Sequence, residues 1–269
     1  MSTHVEKYKF TAGCVLVLAA AAAVLISFIY VPYDPVAVDI PGKLQGVSVR
    51  HWFGTDNLGR DILSRILTGY RISFALGAAA SVFGLVAGGL LGAAGGYTGG
   101  LLDEAVGKII DILMAFPGIL IALVLVAVIG PSTATTVLAL CIMSVPRFAR
   151  IARSGFIKYR TSFMVLSSRA RGASALRIIF LHIFPNIADD LTVTFTLNFA
   201  YAVMNEAGLS YLGLGVQPPA PSFGRMLQEG QGILLHAPWA VLFPAAALIL
   251  PVIGLTLIGD SITGKKGVQ

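Results

Sequence analysis

Six apolar runs separated by polar stretches of unequal length divide the chain. The first, Phe10 to Val31, holds 22 residues; at the usual helical rise it reaches about 33 Å and can cross a hydrocarbon core of ~30 Å. The others predict helices over about 72–96, 101–129, 133–148, 187–209 and 237–258. Lys7 and Lys9 precede the first run, and Phe28-Ile29-Tyr30-Val31-Pro32 offers no small-x-small cleavage site, so this run reads as an uncleaved span. In the second run Ala80, Gly84, Gly88, Gly92 and Gly96 recur at every fourth position. Small residues so spaced let two helix backbones approach closely in lipid, which makes this row a packing ridge. The third run opens with Asp103 and Glu104 at its positive end, and Pro117 should kink it. The fourth is short at 16 residues unless its basic continuation belongs to the same helix.

The polar stretches assign sides. Residues 147–186 carry Arg147, Arg150, Arg153, Lys158, Arg160, Arg169, Arg171 and Arg177 with no Asp or Glu, and positive residues in short loops resist translocation, so this loop should be cytoplasmic. On that map 13 of the 19 basic residues lie inside, as do both termini. Tyr33 to Arg71 and Ser210 to His236 are then external. Thr55 or Asp56 can cap a helix whose Ile62, Leu63, Ile66 and Leu67 form an interfacial stripe on lipid, with Asp61 and Arg65 paired at i, i+4. The organisation is an N-terminal helix with an external segment (1–71), a core of five spans with the cytoplasmic loop 147–186 (72–260), and a tail (261–269).

Composition agrees: 56% of the 269 residues are apolar, 12% are charged and mean hydropathy is +0.83, where soluble domains carry roughly 25% charged residues. The +6 net charge sits mostly on one side, which argues against nucleic acid. Cys14 and Cys141 lie in separate apolar runs and suit filler. Within the cytoplasmic loop, Phe163 to Arg171 predicts a short helix, Gly172 its stop and Ser174 the cap of a second helix that Pro185 ends. Such a hairpin, basic on one side and apolar on the other, suits either anionic lipid or a partner protein.

Ser167-Ser168-Arg169-Ala170-Arg171-Gly172-Ala173-Ser174, followed by Ile183-Phe184-Pro185, resembles the coupling signature of ABC importer permeases: Glu-Ala-Ala, three residues, Gly, nine residues and Ile-x-Leu-Pro. Leu166 stands where that family usually has Glu, Ser167 and Ser168 replace the alanines, and Phe184 replaces Leu. The segment His51-Trp52-Phe53-Gly54-Thr55-Asp56 through Gly59-Arg60-Asp61 is similar to the dipeptide, oligopeptide and nickel branch, and Asp111 to Pro117 resembles its Asp-x-x-x-Ala-Phe-Pro element. The resemblance implies an all-α type I importer permease fold with six spans in a bacterial inner membrane. It implies coupling to ATPases through Ser167, Ser168, Arg169, Ala170, Gly172, Ala173, Ser174 and Pro185. It also implies external docking through Trp52, Thr55, Asp56, Gly59, Arg60 and Asp61, and a hinge at Asp111 and Pro117. The partners implied are a second, homologous permease, two cytoplasmic subunits that bind ATP and magnesium, an extracytoplasmic solute-binding protein and lipid. No cofactor is expected in this chain. Leu166 and the His51-Trp52-Phe53-Gly54 wording lean toward nickel or a metallophore over dipeptide or oligopeptide.

Other chemistry has little support. Gly259 to Lys265 imitates the start of a P-loop, but Lys266 occupies the position of the magnesium-binding hydroxyl, and no helix can follow to cradle phosphate. His4, His51, His182 and His236 lack ligand spacing. An ion-coupled carrier or channel is the rival reading, since intramembrane acids mark ion pathways. Asp111, Asp189, Asp190 and Glu206 sit toward span ends, where water should reach them.

Overall fold

The computed structural model describes residues 2–266, with side-chain surroundings from Glu6 to Thr263; the side chains of His4, Lys265 and Lys266, and tail residues 267–269, lie outside the described residues. Eleven α-helices are described: α1 (Ser2–Ile29), α2 (Ile62–Phe83), α3 (Gly89–Thr98), α4 (Gly100–Ala115), α5 (Gly118–Ile129), α6 (Thr133–Arg160), α7 (Phe163–Ala170), α8 (Ala175–Ile178), α9 (Phe184–Tyr211), α10 (Phe223–Gln231) and α11 (Trp239–Lys266). Wide π-helical turns at Gly84–Gly88 and Ile179–Ile183 carry α2 into α3 and α8 into α9 without a break. Five continuous runs among the described residues are long and apolar enough to cross a membrane: Glu6–Ile29, Ile62–Thr98, Thr133–Arg160, Ala175–Tyr211 and Trp239–Thr263. The pair α4 and α5, bent by 85° at Pro117, makes a sixth if counted as one broken span. Phe116 is extended there (φ −84°, ψ 130°), the conformation a following proline imposes.

Helix α6 lies at the centre, packed against α2, α3, α4, α5 and α9, while α1 lies outermost against α11. The glycine row explains the tightest of these contacts. A Cβ on Gly84 would sit 2.7 Å from the Ser144 Cβ, one on Gly96 2.6 Å from the Arg153 carbonyl oxygen, and those on Gly88 and Gly92 would run into the carbonyls of Val145 and Ala149. Without Cβ atoms the α2–α3 backbone lies directly on α6, the approach that dispersion and close packing reward in lipid.

Three expected boundaries differ most, and in addition α1 begins before Phe10 and α11 runs past Ile258. The second span starts at Ile62, its N-cap being Asp61, whose carboxylate accepts from the Ser64 N–H at 2.8 Å. Ile62 and Ile66 are buried with Phe223, Ala237 and Ala240, so the stripe expected on lipid faces protein. The fourth helix runs on to Arg160, placing Arg147, Arg150 and Arg153 on α6 and leaving the short-helix hairpin to begin after it. Arg and Lys are good helix formers and suit a helix C-terminus, which removes any reason to stop at Phe148. Pro185 does not end the second hairpin helix. It sits at the start of α9 directly after the π-turn, whose widened bonding ladder accommodates a residue without an N–H inside a continuous helix.

Candidate functional site

Helices α7 and α8 form a hairpin at one end of the molecule. Ser162 caps α7 by accepting from the Val165 N–H, and Ser174 caps α8 by accepting from the Arg177 N–H. Between them Gly172 has φ +80°, with Gly172 N–H donating to Arg169 O at 3.0 Å and Ala173 N–H to Ser168 O at 3.1 Å. That pair of bonds is a Schellman closure, which requires a left-handed residue and so favours glycine. Val165, Ile178 and Ile183 are buried against Phe156 and neighbouring residues of α6, and Ser168, also buried, lies 3.2 Å from His182 Nε2. The opposite face is open: Arg169, Ala170, Gly172, Ser174 and Pro185 are exposed, Ser167 and Ala173 half-buried. Beside them Phe163 is 87% and Leu166 50% exposed. The hairpin is therefore pinned inside and open outside, where exposed Phe163 and Leu166 stand beside Arg169, and Leu166 offers a hydrocarbon surface where the resembled signature usually has Glu.

The stretch expected outside, residues 33–71, behaves differently from expectation. Thr55, Asp56, Gly59, Arg60 and Asp61 are buried, and of the six residues expected to dock a partner only Trp52 is exposed. They form the scaffold of residues 33–61. Thr55 Oγ1 donates to Gly42 O at 2.7 Å and Trp239 Nε1 to Thr55 O at 3.2 Å. A Cβ on Gly59 would run into the Asp39 carbonyl. Asp61 binds Ser64 and lies 2.9 Å from His51 Nδ1, so it does not pair with Arg65 as the i, i+4 spacing suggests. Arg65 instead reaches Glu229 at 3.2 Å, as do Arg60 at 2.6 Å and Arg225 at 3.1 Å, while Asp56 faces Arg60 at 2.6 Å. Local spacing offers Glu229 only Arg225 at i−4, whereas Arg60 and Arg65 lie more than 160 positions away; a charge balance of the two stretches expected outside points to it. Removing one partner of a fully buried pair costs about 3–5 kcal/mol. Glu229 keeps 19% side-chain exposure and Asp56 remains, so Glu229→Gln should destabilise by about 2 kcal/mol. Thermal unfolding of the purified protein checks this; an unchanged midpoint would show the network to be dispensable.

Buried polar groups tie the spans together. Asn198 donates to Ser81 and Ser144 at 3.1 and 3.0 Å, joining α2, α6 and α9. Glu206 is fully buried and accepts from Ser73 at 2.6 Å and Ser210 at 2.7 Å, contrary to the expectation that water reaches it. Asp111 is exposed and pairs with Arg150 at 2.9 Å, two turns before the break at Pro117.

Residues 80–264 match the family described as "binding-protein-dependent transport system inner membrane component". The chain is 40% identical over 247 residues to the dipeptide transport system permease protein DppC of Alkalihalophilus pseudofirmus, covering 92% of this chain and 80% of that protein. It is 40% identical over 258 residues to the glutathione transport system permease protein GsiD of Escherichia coli, covering 96% and 85%. The structure is similar to a chain of the MetNI methionine ABC transporter in its inward-facing conformation, with TM-score 0.60 and 20% identity over 74% of this chain and 95% of that one, a likeness of fold. The chain therefore belongs to the binding-protein-dependent inner-membrane family, the multi-pass permease subunits of ABC importers, in which ATP hydrolysis resides in separate subunits and a substrate-binding partner delivers the cargo.

Proposed function

We propose that this chain pairs with a second, homologous permease to pass short peptides inward, with the α7–α8 hairpin as the seat of a cytoplasmic ATPase. The observation that carries the coupling role is the hairpin's two-sidedness: an inner face locked to α6 and an outer face of exposed Phe163, Leu166, Arg169 and Ala170 around a left-handed Gly172. The locked face can transmit a push to α6 and α9, and the open face has apolar area to bury on a partner. The 85° break at Pro117, one face of which lies on α6, is the hinge we assign to the change of exposure. Externally, the buried ion network holds the segment that presents Trp52, Arg50 and Val49 to the binding protein.

The cargo reading rests on relatives named for dipeptide and glutathione, and it replaces the lean toward nickel, which neither of those names supports. Reconstituted with its partners, the complex should take up alanyl-alanine or glutathione on ATP addition, with free nickel neither transported nor competing. ATP-driven nickel uptake that dipeptide leaves unaffected would sink the peptide reading.

Sidedness has a separate test. In a background lacking Cys14 and Cys141, cysteines at the exposed Gln45 and Gln231 should react with an impermeant thiol reagent added outside, and one at Ser174 should not. In the assembled complex the Ser174 cysteine should cross-link to the ATPase subunit. Reaction of Ser174 from outside would refute both the topology and the coupling role.

A further inference from the structure

Helix α6 carries three arginines at three-residue spacing, and two of them have acids. Arg153 Nε donates to Asp103 at 2.6 Å, and Arg150 Nη2 donates to Asp111 at 2.9 Å. Arg147 lies about 9 Å further along the helix axis from Arg153 and meets no carboxylate among the described residues. Its Nη1 donates to Asn198 Oδ1 at a long 3.4 Å, and its Cζ lies 4.4 Å from the centre of the Tyr201 ring. Arg147 also lines a cavity of about 210 Å³ at the α4–α5 break, together with Met114, Phe116, Gly118, Met143 and Asn205. The Asn205 amide is half-buried there and makes no hydrogen bond among the described residues.

We propose that this cavity receives the C-terminal carboxylate of the transported peptide, with the Arg147 guanidinium as its clamp and the Asn205 amide as a second donor. The proposal rests on the peptide reading of the cargo given above. An ionisable side chain inside a membrane bundle is costly and marks a substrate path or a fixed ion pair; Arg150 and Arg153 have such pairs, and Arg147 does not. A guanidinium presents a planar fork of donors that matches a carboxylate, and here the protein occupies it with one long bond and an aromatic face. The cavity is smaller than the roughly 300–1,000 Å³ of drug-sized sites, which suits one end of a peptide and leaves side chains outside it. A site reading only the carboxylate accepts many peptides, and a single clamp is weak enough to release its cargo, as passage requires.

The test uses the permease–ATPase complex in lipid nanodiscs without the binding protein, whose own pocket would otherwise contribute. A Phe116→Trp reporter at the cavity is titrated with alanyl-alanine and with its C-terminal amide. The free acid should bind about ten-fold or more tighter than the amide, as loss of a charge-assisted hydrogen bond implies. Arg147→Met should abolish that preference and lower alanyl-alanine uptake in proteoliposomes by a similar factor, while Arg147→Lys should retain most of the preference. Equal binding of acid and amide in the wild type, or a preference intact in Arg147→Met, overturns the proposal. So does an Arg147→Met complex that loses its second permease and regains it when a partner carboxylate is neutralised, because Arg147 then serves the subunit interface. Should Arg147→Met fail to assemble for any other reason, Asn205→Leu decides: the preference falls at least about three-fold or the carboxylate site is wrong. A wild-type complex that transports neither alanyl-alanine nor glutathione refutes the peptide reading itself, and this site with it.

Discussion

Gly92→Leu should yield no folded protein, whereas Gly89→Leu, three residues away on the same helix, should be tolerated. A Cβ at Gly92 already runs into the Ala149 carbonyl and stands 2.7 Å from the Ala152 Cβ and the Arg153 nitrogen. Overpacking costs about 1–3 kcal/mol where side chains can give way. Here the obstruction is the backbone of the central helix, so α3 must leave α6, and the Phe148, Ala152 and Phe156 cluster opens with it. The cost should exceed about 4 kcal/mol, the range reserved for outright disruption of a core. Among the described residues, Gly89 has no atom of another element within 4 Å of its Cβ position and faces an apolar groove of about 640 Å³ lined by Leu85, Phe184 and Leu191. The two variants share the same change in propensity and hydrophobicity, so only the contact with α6 separates them. Detergent extraction followed by size-exclusion chromatography reads the outcome: a monodisperse peak for Gly89→Leu and aggregate for Gly92→Leu. Comparable peaks for both would mean that the glycine ridge is not the interface holding α3 to α6.

That ridge was legible in the sequence because one helix period generates it and one kind of residue satisfies it. The break at Pro117 was legible for a similar local reason, since the proline ring excludes the helical bond by itself. The 85° angle was not, because it depends on how α5 settles against α6. Span ends were read too short wherever hydropathy changed before the helix did. Arg147 to Arg160 are polar yet helical, and Ile62 to Arg71 are helical but solvated by other protein segments. The stretch around His51 to Arg65 was the least legible. His51 to Arg65 is dense in charge, which reads as surface, yet Asp56, Arg60, Asp61 and Arg65 are all buried. Asp61 faces His51, and the charges of Asp56, Arg60 and Arg65 are neutralised by one another and by Glu229, a residue so distant in sequence that no local pattern links them. Pairing within a helix turn is visible from spacing, whereas pairing across the fold is not. The same limit hid the missing partner of Arg147: three arginines at equal spacing look alike until Asp103 and Asp111 are seen beside only two of them.

Gly172→Val should leave the chain inserted and the complex at least partly assembled, yet lower both substrate-stimulated ATP hydrolysis and uptake by about ten-fold or more. Gly172 lies at φ +80°, where an L-residue costs roughly 1–2 kcal/mol and a β-branched one more. Among the described residues, no atom beyond its two chain neighbours lies within 4 Å of a Cβ added there, so the permease fold meets no clash and the strain is confined to the hairpin. It relaxes by giving up the Schellman bonds from Gly172 to Arg169 and from Ala173 to Ser168, and α7 then loses its fixed angle to α8. A branched side chain also stands on the face proposed to seat the ATPase, so a small local strain becomes a large loss of coupling. Arg169→Ala is the contrasting change. Its guanidinium makes only a 3.4 Å bond to the Tyr97 hydroxyl and a distant approach to that ring, on an exposed face, and exposed interactions of this kind contribute about 0–1 kcal/mol. Uptake by Arg169→Ala should therefore stay within about five-fold of wild type. Both variants should be assayed in the reconstituted complex beside Phe180→Ser, which alters an exposed ring on the helix continuing from α8. Normal transport by Gly172→Val together with loss of activity in Phe180→Ser would make the hairpin a lipid-lying helix and remove its coupling role.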